Sequence, residues 1–250
     1  MSVPFFTADG LILRETRYKE ADRILTILTS DRGRITAKAR GALRKGSKLS
    51  AATQQLTFSE LTFFENQGKL TVNEAVVKEG FDGLRKDFSA YALACYFAEA
   101  AETLTGEELP EPAVLQLILN CLYALSRNLQ SPGRIKAVFE LRLASILGYT
   151  PDLSACCICG ERNPAHPVFG ITSGHLCCRE CREPSVGMTD PLTPEALSAM
   201  RHVIAAPPKQ ILSRAPDDAS FPFFAKACED FLLEQCGRGF QTLEYYRSYS

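Results

Sequence analysis

Hydrophobic and polar positions change their rhythm partway along the chain. Phe5–Arg14, Arg23–Thr29, Gly33–Arg40, Leu56–Phe64 and Lys69–Val77 are rich in β-branched, aromatic and leucine side chains, the composition of short strands. Turn-forming stretches at Tyr18–Asp22, Ser30–Gly33, Gly41–Thr53 and Glu65–Gly68 separate them. From Asp87 the period becomes helical. Phe88, Tyr91, Cys95 and Ala98 share a stripe, so Asp87–Thr105 reads as a helix with Asp87 near its N-cap. A second helix starts after Pro112 and runs to Leu129, with Leu115, Ile118, Leu122, Leu125 and Leu129 on one face. A third spans Pro132–Leu147. It is expected to bury Ile135, Val138, Phe139, the stem of Arg142 and Ile146, and to stop at Gly148 before Pro151. Thr193–Ala205 opens Thr-Pro-Glu: a cap, a first-turn proline and an acid at the positive end of the helix dipole. Phe221–Gln235 and Phe240–Tyr249 complete the helical pattern.

Five short strands in about eighty residues suit a small closed barrel. A five-stranded barrel with a taste for nucleic acid is the OB-fold, although an SH3-like barrel fits the strand pattern nearly as well. The expected class is α+β. A barrel domain covers 1–80, and a helical domain runs in two parts, 81–150 and 191–250, around a cysteine-rich module at 151–190.

Composition adds little until charge is mapped. The 250 residues are 46% hydrophobic and 23% charged, ordinary values for a globular chain with a sizeable core. MSVPFFTADGLILRE has no basic segment leading into a long apolar run. No stretch approaches the ~20 apolar residues needed to cross a bilayer. The expectation is a soluble, cytoplasmic protein.

The formal balance is 28 Lys and Arg against 29 Asp and Glu. Seven of those cations, and no acid, fall in the seventeen residues Arg32–Lys48 (RGRITAKARGALRKGSK). The rest of the chain then holds 21 basic and 29 acidic residues, a balance of −8. Such a local field attracts polyanions. Arg32, Arg34, Lys38 and Arg40 share one parity with Thr36, while Gly33, Ile35, Ala37 and Ala39 take the other. On a strand, one face becomes a basic ladder and the other small and apolar. Arg44, Lys45 and Lys48 follow as a flexible basic loop. The absence of aromatics inside the stretch, with Tyr18 the nearest in sequence, favours phosphate contact over base stacking. The absence of any acid within it argues against a merely solvated strand edge.

Six of ten cysteines lie between Cys156 and Cys181. Cys156/Cys159 and Cys178/Cys181 each form CxxC, with 18 residues between the pairs. Two such turns supply four thiolates for a structural zinc, and a spacer holding Pro164, Pro167, Gly170 and Gly174 can form the hairpin that joins them. Cys157, Cys177 and His175 are competing ligands, whereas His166 reads as a loop histidine. Cys95, Cys121, Cys228 and Cys236 lie on helical patterns and read as small buried side chains. Four sulfur ligands leave no open position for activated water, so the role is structural.

HExxH, GxSxG and GxGxxG are absent. Gly41-Ala-Leu-Arg-Lys-Gly46-Ser47-Lys48 imitates a phosphate-binding loop, but its lysine follows the serine. Three histidines, none beside a nucleophile, give acid–base catalysis little material. No catalytic residue is expected.

The order of features resembles the RecO family of bacterial recombination mediators and DNA-repair proteins. Tyr18-Lys-Glu20-Ala-Asp22-Arg-Ile resembles the family's early strand entry. Asp31-Arg-Gly33-Arg through Ala39-Arg-Gly41-Ala resembles its glycine-and-basic segment. Phe139-Glu-Leu-Arg-Leu-Ala-Ser-Ile-Leu-Gly148-Tyr-Thr-Pro151, running into Cys156-x-x-Cys159-Gly160, resembles the helix that leads into its zinc module. The resemblance covers nearly the whole chain. It implies a nucleoid-associated protein that binds single- and double-stranded DNA, anneals complementary strands and helps load a recombinase onto DNA coated with single-strand-binding protein. It also implies RecR, often RecF, and the C-terminal tail of single-strand-binding protein as partners. DNA contact carries over to Arg32, Arg34, Lys38, Arg40, Arg44, Lys45 and Lys48, and zinc binding to Cys156, Cys159, Cys178 and Cys181. The competing reading is a zinc-ribbon regulatory or assembly module that acts mainly through protein partners.

Overall fold

The structure is a computed structural model that describes residues 5–182 and 187–249. It divides into two compact units, Met1–Ser126 with Phe240–Ser250, and Arg127–Gly239.

The first unit is built on a five-stranded barrel: β1 (Phe5–Tyr18), β2 (Asp22–Thr29), β3 (Gly33–Ala39), β4 (Phe58–Asn66) and β5 (Lys69–Glu79). Alternation along the strands sends Ile12, Leu25, Ile27, Ile35, Ala37, Leu61, Phe63 and Val72 into one core. The strands close in the order β1-β2-β3-β5-β4. The closing seam is parallel, pairing Ala37 with Leu70 and Lys38 with Thr71. All other pairings are antiparallel. This Greek-key closure decides between the two barrels that the strand pattern allowed, and it is the OB-fold. A register shift between Ile12 and Arg14 lets β1 bend from β4 onto β2.

A 3-10 turn at Asp82–Lys86 and three α-helices among the described residues complete this unit: α1 (Phe88–Leu104), α2 (Pro112–Ser126) and, after the second unit, α6 (Gln241–Arg247). Asp87 caps α1, its carboxylate accepting from Ala90 N–H at 3.1 Å. Glu99 of α1 accepts from the backbone N–H groups of Gln241 and Thr242, filling orphan donors at the start of α6. Helix α2 stops at Ser126, short of the expected Leu129, whose side chain is 58% exposed.

The second unit holds α3 (Pro132–Ile146), α4 (Pro194–Ala205), α5 (Phe221–Cys236) and a small sheet of β6 (Pro167–Gly170), β7 (Leu176–Cys178) and β8 (Thr189–Pro191) in the order β7-β6-β8. Gly148 N–H donates to Ser145 O and Tyr149 N–H to Ala144 O, closing α3 where the sequence places its stop. Ile135, Val138 and Phe139 are buried as expected; Ile146 is only half-buried, and Lys136 and Glu140 are buried in its place. Lys136 Nζ lies 2.9 Å from Glu140 and also pairs with Glu229 of α5. Thr193 caps α4 through Ala196 N–H, and the Arg142 guanidinium donates to the Val203 and Ile204 carbonyls near its other end. No helix among the described residues is long and apolar enough to cross a membrane.

Candidate nucleic-acid interface and metal centre

The two parities of β3 do what their chemistry requires. Gly33, Ile35, Ala37 and Ala39 are buried, and Arg34, Thr36 and Lys38 face outward. Arg32 and Arg40 flank the strand and are exposed.

One edge of β3 is covered in two pieces. At its start lies the connection from α1 to α2, where Glu108 N–H donates to Arg34 O at 3.1 Å. Gly33, at φ +64°, lets that connection approach: a Cβ there would sit 2.1 Å from the Leu109 carbonyl oxygen. At its far end β3 pairs with β5. Each side of that seam carries a cleft. The first, lined by Arg32, Arg34, Asp31, Glu65, Glu107 and Glu108 among others, is of mixed sign. The second contains Lys38, Arg40 and Lys69 beside Tyr18, Ile24 and Leu70, and among the described residues no carboxylate lines it.

The stretch by itself omits two kinds of neighbour. Acids do offset part of the ladder, but they arrive from elsewhere in the chain. Lys38 Nζ lies 2.8 Å from Asp22, and Arg34 lies 3.4 Å from Glu107 while also donating to Thr105 O. Aromatics also reach it across strands. The Arg32 guanidinium stands 3.6 Å from the Phe6 ring centroid, and Lys38 Nζ stands 4.8 Å from that of Tyr18. Tyr18, 43% exposed, therefore forms one wall of the cationic cleft.

Arg44, Lys45 and Lys48 are exposed, but the segment that carries them is not the flexible loop expected. Successive turns lock it: Arg44 N–H donates to Gly41 O, Ser47 N–H to Arg44 O, Ser50 N–H to Ser47 O and Thr53 N–H to Leu49 O. Ala42, Ala52 and Leu56 anchor it inside. Buried Arg23 fastens it further, donating to Ser50 O at 2.7 Å and Thr53 Oγ1 at 2.8 Å. Asp22 ties in the first turn by accepting from Gly41 N–H at 2.8 Å. Lys38 and that N–H hold the Asp22 carboxyl below the usual carboxylate range.

The cysteine module assembles as its spacing requires. β6 and β7 pair antiparallel, Pro167 against Cys178, and this hairpin brings the two CxxC turns together. Cys156 N–H donates to Glu161 O and Gly160 N–H to Cys156 O, with Gly160 at φ +76° to close the first turn. Cys181 N–H donates to Cys178 O in the second. The sulfurs of Cys156, Cys159, Cys178 and Cys181 all lie within 4.8 Å of one another. Cys159 and Cys178 are 3.6 Å apart. Four thiolates ~2.3 Å from one zinc ion would stand ~3.8 Å apart at tetrahedral corners, so the donor set fits a metal. All ten cysteines are free of disulfide bonds.

Cys157, Cys177 and His175, competitors by sequence, lie outside this group. Burial pushes the Cys156 thiol up, but backbone N–H groups of Cys159, Ile158 and Cys178 outweigh it and bring it down to about 6. Cys181 goes up to about 11 through its contact with Cys159, and burial among the other sulfurs also raises Cys178. Sulfurs this crowded resist joint ionisation, and a shared cation removes that resistance.

Two polar groups that sequence reading missed shape these sites. Lys69 joins the cationic cleft only because β5 closes parallel onto β3. Arg201 of α4 donates to the backbone carbonyls of Leu153, Ser154 and Arg162 and to Asn163 Oδ1, spanning the first cysteine turn. Neither carries a local signal, since each is defined by a partner far along the chain.

Comparison with known proteins places the whole arrangement. The family model described as "Recombination protein O N terminal" matches residues 1–81, and that described as "Recombination protein O C terminal" matches residues 85–239. A DNA repair protein RecO from Acetivibrio thermocellus is 30% identical over 244 residues, covering 98% of this chain and 97% of its own. A DNA repair protein RecO from Heliobacterium modesticaldum is 34% identical over 215 residues, covering 82% of this chain and 76% of its own. One from Exiguobacterium sibiricum is 34% identical over 176 residues, 70% of each chain. With both family models covering residues 1–81 and 85–239 and the Acetivibrio thermocellus relative matching 98% of the chain, this chain of OB barrel, helices and four-cysteine cluster belongs to the RecO family of DNA repair proteins.

Proposed function

We propose that the chain is a recombination mediator without covalent turnover. It binds single- and double-stranded DNA through its barrel, anneals complementary strands and helps place a recombinase on DNA coated with single-strand-binding protein. Its partners in this reading are RecR, often RecF, and the C-terminal tail of single-strand-binding protein.

The DNA-binding reading rests on the cleft beside the β3–β5 seam, where Lys38, Arg40 and Lys69 meet Tyr18 and, among the described residues, no carboxylate lines the wall. It lies on the face that OB-folds use, between the β1–β2 and β4–β5 turns. Lys and Arg there neutralise phosphates and release condensed counterions, giving sequence-tolerant affinity that falls with salt. The exposed Tyr18 ring offers a platform for one base, worth ~1–3 kcal/mol by alanine substitution. Arg44, Lys45 and Lys48, exposed on the pinned turns that follow β3, supply three further cations for phosphate.

Zinc suits the four-thiol set. Bound there it would tie the two CxxC turns together and leave no open coordination position, so its contribution is to folding. The chain's own part is to pre-form the turns, with Arg201 holding the first.

The test is an annealing assay on complementary strands coated with single-strand-binding protein, run with the intact coat protein and with one lacking its C-terminal tail. Accelerated annealing that depends on the tail is expected. Absence of acceleration with either coat contradicts the mediator reading.

A further inference from the structure

The basic strand carries its own competitor. Asp22 sits at the start of β2, opposite the end of β3. One carboxylate oxygen accepts from Gly41 N–H at 2.8 Å, and the other pairs with Lys38 at 2.8 Å. Its side chain is 17% exposed and that of Lys38 26%, so the pair is partly shielded from water. The Gly41 bond fixes the carboxylate in place, and the carboxylate in turn occupies one of the cleft's three cations. Of the three cations there, Lys38 alone has a carboxylate partner; Arg40 and Lys69 have no ion pair among the described residues.

Resting on the DNA-binding reading above, we propose that Asp22 is a built-in restraint on the nucleic-acid site, lowering its affinity by competing with phosphate for Lys38. A phosphate reaching Lys38 must share or displace Asp22, and the carboxylate stays beside the backbone whichever happens. The site therefore acts with one positive charge fewer than its lining suggests. Weak, exchangeable contact is what a protein needs if it hands a strand on instead of keeping it.

Asp22→Asn separates the two tasks of this side chain. The amide oxygen still accepts from Gly41 N–H, so the turn stays closed, while the charge on Lys38 is released. One additional effective phosphate contact steepens the slope of log affinity against log salt by ~0.7 on single-stranded DNA. That corresponds to binding about five-fold tighter at 0.1 M salt, converging with the parent near 1 M.

The experiment is a fluorescence-anisotropy titration of an oligothymidylate strand from low to high NaCl. It compares the full chain, Asp22→Asn, and Glu195→Gln as a control that removes an exposed charge on α4. Thermal melts confirm that each variant is folded. The proposal expects a steeper slope and tighter binding for Asp22→Asn alone. A slope equal to the parent's overturns it, as does the same gain in Glu195→Gln, which would mark a general net-charge effect. Failure of the parent to bind at any salt would instead remove the DNA-binding reading itself. Should Asp22→Asn melt below the titration temperature, Asp22→Ser, which also removes the charge while keeping an acceptor for Gly41 N–H, is read by the same slope. Tighter binding in Asp22→Glu as well would also contradict the restraint, because that variant keeps the charge.

Discussion

Gly33 shows how far a single residue can be read from sequence. Its place on the apolar parity of β3 is visible in the alternation. The reason it must be glycine is not, because Leu109, which crowds its α-carbon, lies far along the chain. Gly33→Ala would force a side chain into left-handed backbone and onto that carbonyl, and should cost about 2–3 kcal/mol in a denaturant titration. Lys136 and Glu140 make the complementary point. The apolar stripe of α3 is legible at Ile135, Val138 and Phe139, but a lysine and a glutamate beside it read as surface. They are buried because Glu229 arrives from α5 to complete a charged triad around Lys136. Lys136→Met removes the ammonium that pairs with both Glu229 and Glu140, whose side chain is 0% exposed, so a loss of about 3–5 kcal/mol is expected in the same measurement.

Elements with a strong local period were readable, and their ends were not always so. Asp87, Thr193 and Gly148 announced helix boundaries because caps and left-handed stops are local chemistry. Leu129 extended the expected stripe of α2 past Ser126 because it happens to keep the helical spacing in the connection beyond. The basic ladder of β3 was legible as alternation. Its neutralisation by Asp22 and Glu107 was not, since strand pairing and a distant connection supply both acids. The four-cysteine cluster was the clearest case, because each CxxC turn encodes half the site locally.

Cys156→Ser should lose the metal in stoichiometric metal analysis and lower the melting temperature of the second unit. Arg201→Lys keeps the charge on α4 but not the planar fork that reaches several acceptors. With zinc in the four-thiol site as proposed, its release to a colorimetric chelator should be faster in this variant, with the same starting metal content as the parent. Unchanged release would show that Arg201 does not position the first turn.

At the scale of the molecule, length, cysteine usage and the sequence of patterns led to an α+β chain with an OB barrel and a cysteine module, and the closure of β3 onto β5 settled the barrel type. What the pattern hid is the cleft, which exists only once β5 has brought Lys69 beside Lys38 and Arg40. In the function proposed above, DNA lies in this cleft. Photo-crosslinking of a 5-iodouracil-substituted single strand to the full chain, followed by peptide mapping, reads the contact directly. The expected crosslinks fall on Tyr18 and on peptides spanning residues 38–48 and Lys69. Crosslinks confined to the second unit, with none on the barrel, would contradict it.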